Sequence, residues 1–379
     1  MIMEVDFMII LHCTQQTIWN KESETEFFGN ITIETENSIK CIEPNKINAD
    51  NFSFPSMIEH TILCINTDLI KKVPSKQEGD FILLSEPIPL SAIIATLPYT
   101  YDTDDKFVKT KEIQDIILIN EIAKKLDISL NEFKYFRDGT DSRIFLLNGK
   151  YIVKQNIPQI LKSEFEFSKI YADNRKLQDV ILVDDEYRYI VYEFIPGDVM
   201  HVVDNVEELL FNIKEITNSY KEYTGAEFGY IHEPSNSWID FLKTQVHEAS
   251  LTLPDSFDFL PQVYEAISTL ERCNFEKKLI HGDLGTHNFI KKKGDFIGAI
   301  DPTPIAGDPL YDFIYACLSN LDIVKHLSVD FLAQKTGESA EKVKAMLIIE
   351  LFCRMSICLK HHKEDFDGYV DFWYKIIAD

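Results

Sequence analysis

The chain has 379 residues, of which 45% are hydrophobic and 12% aromatic, and it carries a formal net charge of -24 at pH 7. This length exceeds that of one typical domain, and the hydrophobic content is sufficient for folded cores, so we expect two or three folding units. The acidic balance argues against a general nucleic-acid binder, because that function needs a basic face. A soluble acidic surface is the simpler interpretation, although acidity would also suit a cationic small molecule.

The cysteines are dispersed along the chain without the spacing of a zinc site. An odd, scattered set predicts reduced buried thiols instead of a disulfide framework. The start of the chain carries Glu4 and Asp6 and lacks the basic segment of a secretory signal. The most apolar helical stretch, 345–359, is interrupted by Glu350 and Arg354 and is too short to cross a bilayer. We therefore predict a cytoplasmic protein with no membrane partner, while its oligomeric state stays open.

Residues 1–105 predict a small, mostly β unit. Alternating or apolar runs at 5–13, 30–42, 60–65 and 81–84 are separated by turn-forming residues. These residues contain no phosphate loop, metal cluster or nucleophile pattern, so dimerisation, substrate gating and partner binding all stay open as the role of this unit. The polar stretch 98–106 lacks apolar periodicity and is the candidate linker.

A helix and a set of strands are predicted after the linker. Apolar residues at near-helical spacing predict a helix over 112–126, and a second helix is predicted at 163–171. Strands are predicted at 133–136, 143–147 and 151–155, with the tight-hairpin signal Asn148-Gly149 between the last two. A further apolar strand, 189–192, runs into a Pro-Gly pair that ends it.

The chain beyond Gly197 is predicted to be helical, because apolar residues recur at near-helical spacing. The predicted helices span residues 206–223, 236–249, 258–275, 308–321, 340–362 and 366–377. Asp308 has the position of a helix-capping residue. Charged residues on these helices are expected mainly on solvated faces, and some acidic ones would line a ligand pocket.

The stretch 279–312 has the layout of a phosphoryl-transfer site. His281-Gly282-Asp283 is followed five residues after the aspartate by Asn288, and Asp301 ends the apolar run 296–300. Phosphoryl transfer requires mainly positioning and charge neutralisation from a protein, and Mg²⁺ prefers carboxylate, amide and water oxygens. A strand–turn–strand pattern predicts a hairpin that brings Asn288 and Asp301 to the same end. We therefore assign Asp283 to the acceptor hydroxyl, and Asn288 and Asp301 to the metal.

This stretch resembles the H-G-D-x-x-x-x-N loop and the later I-D of the aminoglycoside phosphotransferase and choline kinase-like family, which are small-molecule relatives of protein kinases. The resemblance covers about residues 110–379. It implies an α+β, bilobal, protein-kinase-like fold, with a β-rich N-lobe at 110–196, a helical C-lobe at 197–379, and the small β unit in front. It also implies that His281 braces the loop backbone and is not the general base.

The resemblance further implies a nucleotide-binding role for Lys154, which follows the predicted hairpin. In this family, a lysine at that position grips the α and β phosphates. Glu164, on the predicted helix 163–171, is its expected ion-pair partner, and Glu166 is a close rival because the spacing is short. A lone strand lysine is usually exposed to solvent, so this assignment depends on the resemblance.

Two further parts of the nucleotide site are implied by the same resemblance. The loop that contains Gly139 and Ser142 would cover the phosphates through backbone N–H groups. It has one glycine and so departs from the G-x-G-x-x-G loop of protein kinases. Backbone groups near Tyr192 and Phe194 would hydrogen-bond the purine edge, which leaves the choice of adenine or guanine open.

The sequence thus predicts a phosphotransferase that moves the γ-phosphoryl group of ATP or GTP to a hydroxyl of an aminoglycoside-, choline- or sugar-like molecule, with Mg²⁺. The alternative is a non-catalytic nucleotide-binding regulatory module on a kinase-like fold. A degenerate site would be expected to lose one of Lys154, Asp283, Asn288 or Asp301, and all four are present. A protein kinase is disfavoured because Asp301 is followed by Pro-Thr-Pro and not by the Phe-Gly of such enzymes.

Overall fold

The computed structural model describes the backbone of seven strands between residues 9 and 98, and then residues 111–130, 132–136, 142–203, 205–254 and 257–378. Side chains are described from residue 118 onward. The chain divides into two compact units, Met1–Gly139 with Ile144–Ile152, and Thr140–Arg143 with Val153–Asp379. The candidate linker lies outside the described residues except for its first residue, and the predicted domain boundaries stay predictions.

The first unit contains a sheet of seven described strands. They are β1 (Ile9–Cys13), β2 (Ile31–Thr35), β3 (Ser38–Ile42), β4 (Thr61–Ile65), β5 (Ser75–Glu78), β6 (Phe81–Leu84) and β7 (Ile93–Pro98). Their order is β5-β6-β3-β2-β1-β4-β7, with β3 and β6 parallel and the other recorded pairs antiparallel. The predicted run 30–42 is a hairpin of two strands, and β5 and β7 were missed by the sequence patterns. The mostly β character predicted for this segment is confirmed.

The first unit also contains helix α1 (Lys111–Lys125), strand β8 (Phe133–Phe136) and all but the first residue of the antiparallel strand β9 (Arg143–Leu147). Asn148 and Gly149 follow with φ values of 49° and 63°. Two successive residues with positive φ form the type of tight turn that matches strand twist. The turn leads into β10 (Tyr151–Gln155), which begins in the first unit and ends in the second. These elements lie within a residue of their predicted positions.

The strands of the second unit form small sheets that support the functional loops. The end of β10 lies beside β12 (Ile190–Glu193), which pairs with β11 (Val180–Val183). A second sheet contains β13 (Asp198–Val199), β17 (Phe289–Lys292) and β18 (Asp295–Ala299). A third contains β15 (Pro234–Ser235), β14 (Phe228–Tyr230), β19 (Ile305–Gly307) and β16 (Lys278–Ile280), in that order.

Helices dominate the rest of the second unit. They are α2 (Pro158–Ile170), α3 (Val206–Asn218), α4 (Trp238–Ser250), α5 (Leu260–Leu270), α6 (Pro309–Leu318), α7 (Leu321–Val324), α8 (Val329–Thr336), α9 (Ala340–His361) and α10 (Phe366–Ala378). Every helix predicted beyond Gly197 is present, with ends that differ by up to five residues. The predicted helix 308–321 ends at Leu318, because the Asn320 side chain caps a new helix by accepting a hydrogen bond from Asp322 N at 2.8 Å.

Helix α9 lies at the centre of the helical region. It packs against α4, α5, α6, α8 and α10, and it is buried on most of its circumference. The buried charged side chains Glu350 and Arg354 interrupt its apolar surface. Among the described residues, no helix is long and apolar enough to cross a membrane. The antiparallel sheets followed by this helical region confirm the predicted α+β fold class.

Two of the four described thiols are buried, as the sequence predicts, and the other two, Cys273 and Cys353, are partly exposed. Cys273, Cys317, Cys353 and Cys358 form no disulfide, and Cys317 and Cys358 are buried. Burial raises the pKa of the Cys358 thiol to about 11. The side chains of Cys13, Cys41 and Cys64 lie outside the described residues.

Candidate active site

The loop 281–285 connects β16 to a short 3-10 helix, Thr286–Asn288, and then to β17. Gly282 has a φ of +81°, and a Cβ atom at this position would lie 1.9 Å from the carbonyl oxygen of Thr303. The backbone N–H of Thr303 donates a hydrogen bond to His281 O at 2.8 Å. The loop therefore requires glycine at 282, both for its left-handed backbone and for its close approach to residue 303.

The carboxylate of Asp312, on α6, holds this loop in place through hydrogen bonds. Its carboxylate accepts hydrogen bonds from the backbone N–H groups of His281 at 2.8 Å and Gly282 at 2.9 Å. It also accepts one from the Tyr220 hydroxyl at 2.6 Å. Asp308 caps the same helix, as the sequence predicts, by accepting a hydrogen bond from Leu310 N at 3.0 Å. The start of α6 and the loop are thus held together by fully buried polar contacts.

His281 is fully buried and braces the loop. Its Nε2 lies 3.1 Å from the carbonyl oxygen of Ile300, and its Nδ1 accepts a hydrogen bond from Asp283 N at 3.3 Å. These partners assign the proton to Nε2. Burial lowers the pKa of His281 to about 4, despite the nearby Asp283 and Asp301. A neutral imidazole that is hydrogen-bonded on both sides has the bracing role that the resemblance implies.

Asp283 has three side-chain partners at the end of this loop. Its carboxylate accepts a hydrogen bond from the Tyr315 hydroxyl at 2.6 Å and lies 3.1 Å from His287 Nε2. Asn288 Nδ2 donates to the same carboxylate at 2.9 Å. Burial raises the pKa of Asp283, but His287 and Tyr315 outweigh this effect and lower it to about 2. The carboxylate is therefore ionised at neutral pH and has a fixed orientation.

The hairpin of β17 and β18 places Asn288 and Asp301 at the same end. The backbone N–H of Ile300 donates to Asn288 O at 2.9 Å, which sets the next residue, Asp301, beside Asn288. Asp301 has a φ of +59°, a left-handed backbone that costs most residues about 1–2 kcal/mol and is more accessible to Asp. A strained residue at such a position often has a functional role.

The donor set at this end suits a hard cation. Asn288 uses its Nδ2 atom to contact Asp283, so its oxygen Oδ1 is directed elsewhere. Asp301 is 44% exposed at its side chain and offers carboxylate oxygens. The described residues contain no group of three or more His, Cys, Asp or Glu side chains that could hold a metal by themselves. A protein site with one carboxylate and one amide oxygen matches Mg²⁺, because phosphate and water oxygens complete its shell.

Lys154 emerges from β10 into the same region. Its ammonium group lies 2.7 Å from Glu164 Oε1 and also contacts Asp301 Oδ1. Burial lowers the pKa of Lys154, but the charges of Asp301 and Glu164 outweigh burial and raise it above the ordinary value. Glu166 is exposed on the opposite side of α2. The structure therefore pairs the lysine with Glu164 and not with Glu166.

The other predicted nucleotide residues are placed in different ways. Gly139 lies outside the described residues. Ser142 Oγ accepts a hydrogen bond from Asn156 Nδ2 at 2.9 Å, near the start of α2. The backbone of Glu193 faces β11, since its N–H donates to Asp179 O at 3.2 Å. Because alternate residues of a strand direct their peptide groups to opposite edges, that of Tyr192 points to the β10 side, whereas Phe194 follows the end of β12.

Three partners in this site were missed by the sequence patterns. The Tyr192 hydroxyl donates to Glu164 Oε2 at 2.8 Å, so its side chain supports the lysine's partner. Tyr315 reaches Asp283 from 32 residues away, and no local signal marks it. His287 lies four residues after Asp283, a spacing that was visible in the sequence but had no assigned role.

A cavity of about 420 Å³ opens beside Asp283. Its wall includes the tyrosines Tyr230, Tyr311 and Tyr315 and the α9 residues Glu350 and Arg354. A cavity of this size is typical of a small-molecule site. Since Asp283 is one of the lining residues, a hydroxyl group in the cavity can approach that carboxylate.

The fold and this arrangement of residues are those of a kinase-like phosphotransferase. Residues 132–339, more than half of the chain, match the model of the Phosphotransferase enzyme family. The chain belongs to this family, as the sequence predicts. A comparison with curated proteins found no match.

Solved structures of two aminoglycoside phosphotransferases have a similar fold. The GDP and kanamycin complex of APH(2")-IIia is 15% identical, covers 69% of this chain and 99% of its own, and has a TM-score of 0.50. A thermostable mutant of APH(4)-Ia, in a ternary complex with AMP-PNP and hygromycin B, is 15% identical, covers 71% of this chain and 97% of its own, and has a TM-score of 0.50. At this identity, the likeness shows the kinase-like fold.

Proposed function

We propose that this protein transfers the γ-phosphoryl group of ATP or GTP to a hydroxyl group of a small molecule. The observation that carries the proposal is the convergence of Lys154, Asp283, Asn288 and Asp301 within one compact unit. Lys154 contacts Asp301, and Asp283 contacts Asn288, whose backbone bonds to the residue before Asp301. The four residues therefore form one connected group, with a cation and two metal-compatible oxygens beside a fixed carboxylate.

Asp283 would orient the acceptor hydroxyl and receive its proton. The hydroxyl oxygen forms a bond to the γ-phosphorus while the bond from that phosphorus to the β,γ-bridging oxygen breaks. A carboxylate with a pKa of about 2 is a weak base, which suits a loose transition state in which the proton moves late. Its three side-chain partners hold it in the attack geometry, and positioning of this kind supplies much of the catalysis.

Lys154 would neutralise the α and β phosphates, with Glu164 and Tyr192 holding it in place. The loop with Gly139 and Ser142 is proposed to cover the phosphates, and the peptide groups of Tyr192 and Phe194 to bond the purine. The similar structures contain GDP in one case and AMP-PNP in the other, so both purines stay in the proposal.

Asn288 and Asp301 would hold Mg²⁺, through the amide oxygen of the first and the carboxylate of the second. When bound, the ion would neutralise phosphate charge, which is the main requirement of phosphoryl transfer. The acceptor is proposed to occupy the cavity beside Asp283. The similar structures contain the hydroxylated molecules kanamycin and hygromycin B. We propose a cytoplasmic location, where ATP and GTP are abundant.

The test is the substitution Asp283→Asn. We expect phosphate transfer to fall by about 100- to 10,000-fold, the usual contribution of an acid–base group, while nucleotide affinity changes little. Transfer is measured on a panel of hydroxylated acceptors, and nucleotide affinity by calorimetry. Asp295→Asn, at an exposed position of the β17–β18 hairpin that follows the loop, is the matched control. Retained turnover in Asp283→Asn, or no nucleotide binding by the wild-type protein, would refute the proposal.

A further inference from the structure

One face of α6 contacts the loop 281–285 and the start of the 3-10 helix that follows it. Asp312, Tyr315 and Ser319 are spaced by three and four residues, which places them on the same side of the helix. Their partners occur in the same order along the chain. The first bonds to the backbone of residues 281 and 282, the second to the side chain of Asp283, and the third to the backbone of residue 286. The third contact holds the helix that contributes Asn288 to the site.

The 3-10 helix begins without a capping side chain of its own. The residue before it is Gly285, so the first backbone N–H group of the helix, that of Thr286, needs an acceptor from elsewhere. Ser319 Oγ accepts this hydrogen bond at 3.0 Å. The Ser319 hydroxyl donates its proton to Ala316 O at 2.7 Å, which leaves its oxygen able to accept. Ser319 therefore caps the 3-10 helix from a distant part of the chain, and both partners are buried.

The side chain of His287 explains why glycine occupies position 285. The backbone of Gly285 is extended, with a φ of -105° and a ψ of 164°, so its conformation does not require glycine. A Cβ atom at this position would lie 2.5 Å from His287 Cε1 and 2.7 Å from its Nδ1. The imidazole fills the space of a capping Ser, Thr or Asp side chain, and from there its Nε2 reaches Asp283. The contact between His287 and Asp283 thus removes the usual cap, and Ser319 replaces it.

Ser319 is itself held by two neighbouring helices. The carbonyl groups at the end of a helix such as α6 have no partners within the helix. Arg354 of α9 donates from Nη2 to Ser319 O at 3.1 Å, and the Tyr369 hydroxyl of α10 donates to Leu318 O at 2.7 Å. Arg354 Nε also donates to the Tyr369 hydroxyl at 3.3 Å. These contacts are buried, so the position of the serine is fixed by the core and not by the helix that it caps.

We infer that Ser319 is a positioning residue for phosphoryl transfer. By capping the 3-10 helix, it sets the orientation of Asn288 toward Mg²⁺ and that of His287 toward Asp283. This inference rests on the proposed function and adds a residue that does not line the cavity beside Asp283. Its effect passes through the backbone, because Asn288 N donates to Gly285 O at 2.9 Å. A displaced helix start would therefore displace Asn288 as well.

The test is Ser319→Ala, with metal affinity as the main measurement. Mn²⁺, which prefers the same oxygen ligands as Mg²⁺, is titrated into protein saturated with AMP-PNP or GMP-PNP, and its binding is followed by EPR. We expect the Mn²⁺ affinity and kcat both to fall by about 3- to 30-fold, the usual effect of leaving one buried donor without its acceptor. Nucleotide affinity measured without metal should change little, because Lys154 is held by Glu164 and Asp301 and not by the 3-10 helix.

Ser250→Ala is the matched control. Ser250 ends α4, and its hydroxyl donates to His247 O at 2.7 Å, as that of Ser319 does to Ala316 O. Among the described residues, it has no hydrogen bond to the loop or to the 3-10 helix. A general loss of stability would lower the melting temperature without changing the Mn²⁺ affinity of the folded protein. Unchanged Mn²⁺ affinity and kcat in folded Ser319→Ala protein would overturn the inference.

Ser319→Cys is a second variant for the case that Ser319→Ala does not fold. The thiol occupies the same place, but sulfur is a weak acceptor, so we expect losses of Mn²⁺ affinity and kcat in the same direction. Wild-type values of both quantities in this variant would contradict the role of the serine oxygen.

A further arm moves the cap to its usual position. In a His287→Ala background, the space beside residue 285 is vacant, so Gly285→Ser can supply a capping hydroxyl. The Mn²⁺ affinity that Ser319→Ala loses in this background should then return. Absence of any recovery would show that the lost cap is not the cause.

The two proposals fail in different ways. Wild-type protein that binds no nucleotide and phosphorylates no hydroxyl compound would refute the proposed function itself. Wild-type protein that transfers phosphate, together with Ser319 variants that bind Mn²⁺ as tightly as the wild type, would refute only the inference about Ser319.

Discussion

At Asp283, one carboxylate has three side-chain partners, which come from two different elements of the structure. Asn288 and His287 belong to the 3-10 helix that follows, and Tyr315 belongs to α6. A group held from several directions loses little free energy on reaching its reactive geometry, which is why such supporting contacts matter for catalysis. Tyr315 has two contacts of interest, since its hydroxyl donates a hydrogen bond to Asp283 and its side chain lines the cavity proposed for the acceptor.

Tyr315→Phe should lower kcat by about 10- to 100-fold, because a hydrogen bond to a charged group contributes about 1.5–3 kcal/mol. The KM for the nucleotide should change little, since Tyr315 does not contact Lys154 or Asp301. Steady-state kinetics with saturating acceptor measure both quantities. Tyr264→Phe, at an exposed position of α5, serves as the control. An unchanged kcat would show that the phenol does not position the carboxylate.

For individual residues, the sequence identifies the side chains with a predicted chemical role but not the side chains that hold them in position or line the cavity. Asp283, Asn288 and Asp301 could be selected because their residue types and spacing match the needs of phosphoryl transfer and Mg²⁺, and Lys154 was selected through the family resemblance. Tyr315 and Glu350 could not, because a tyrosine and a glutamate on apolar helices have many ordinary roles. Their meaning depends on which helix face meets the loop, and only the tertiary structure gives that information.

The turn between β11 and β12 is stabilised by hydrogen bonds to the carboxylate of Asp184, and it leads into a strand that contributes to the site. Asp184 accepts hydrogen bonds from Arg188 Nε and Nη2, both at 2.8 Å, and from the backbone N–H of Glu186 at 3.2 Å. Tyr187 completes the turn with a φ of 56°. The strand that leaves this turn carries Tyr192, which supports Glu164. The turn therefore sets the position of the lysine's partner.

Asp184→Asn should lower the free energy of unfolding at pH 7 by about 1 kcal/mol, since Arg188 is largely exposed and its attraction is screened. The hydrogen bonds from Arg188 lower the pKa of Asp184 below its ordinary value. A lowered pKa contributes stability in full above the unfolded-state value of about 3.9, and this contribution is lost as the pH falls toward the folded-state pKa.

The difference between wild-type and Asp184→Asn protein should therefore shrink as the pH falls below about 4. Urea unfolding at several pH values measures it. Asp185→Asn, one residue further along the same turn and exposed, is the control. A difference that stays constant down to acidic pH would contradict the ionic explanation.

Local signals predicted most elements beyond residue 110, and the lack of such signals explains the elements that were missed. Periodic apolar residues and the Asn148-Gly149 turn were sufficient for α1, α9 and the β9–β10 connection. Helix α8 was missed because it is short, although Ser328 caps it and Gly337 ends it with a φ of 84°. Strands β14, β15 and β19 contain only two or three residues each, so their pairing depends on distant partners and not on their own pattern.

For the whole molecule, the net charge of -24 is the dominant electrostatic feature. Self-repulsion of this size destabilises the compact state. Salt should relieve it, because the Debye length falls from about 30 Å at 0.01 M to about 8 Å at 0.15 M ionic strength. We therefore expect the melting temperature to rise by several degrees over this range of sodium chloride, as measured by calorimetry.

As a control, the melting temperature is also measured in a neutral solute such as glycerol at the same osmolality. This comparison separates charge screening by the salt from general solvent effects. A melting temperature that falls with added salt would mean that the screening of exposed ion pairs, such as Lys243–Glu271, outweighs the relief of the net repulsion. Buried pairs such as Lys154–Glu164 and Lys342–Asp308 are only weakly screened, which is why we expect the relief of repulsion to dominate.

The hydrogen bonds of Asp312 to the loop 281–285 have a consequence for local unfolding of the protein. Because this carboxylate belongs to α6 and holds the amides of His281 and Gly282, the helix and the loop cannot fray independently. Local unfolding commonly proceeds in cooperative segments. We therefore expect the loop 281–285 to unfold together with the buried helix α6. The loop then keeps its conformation for as long as this part of the core stays folded.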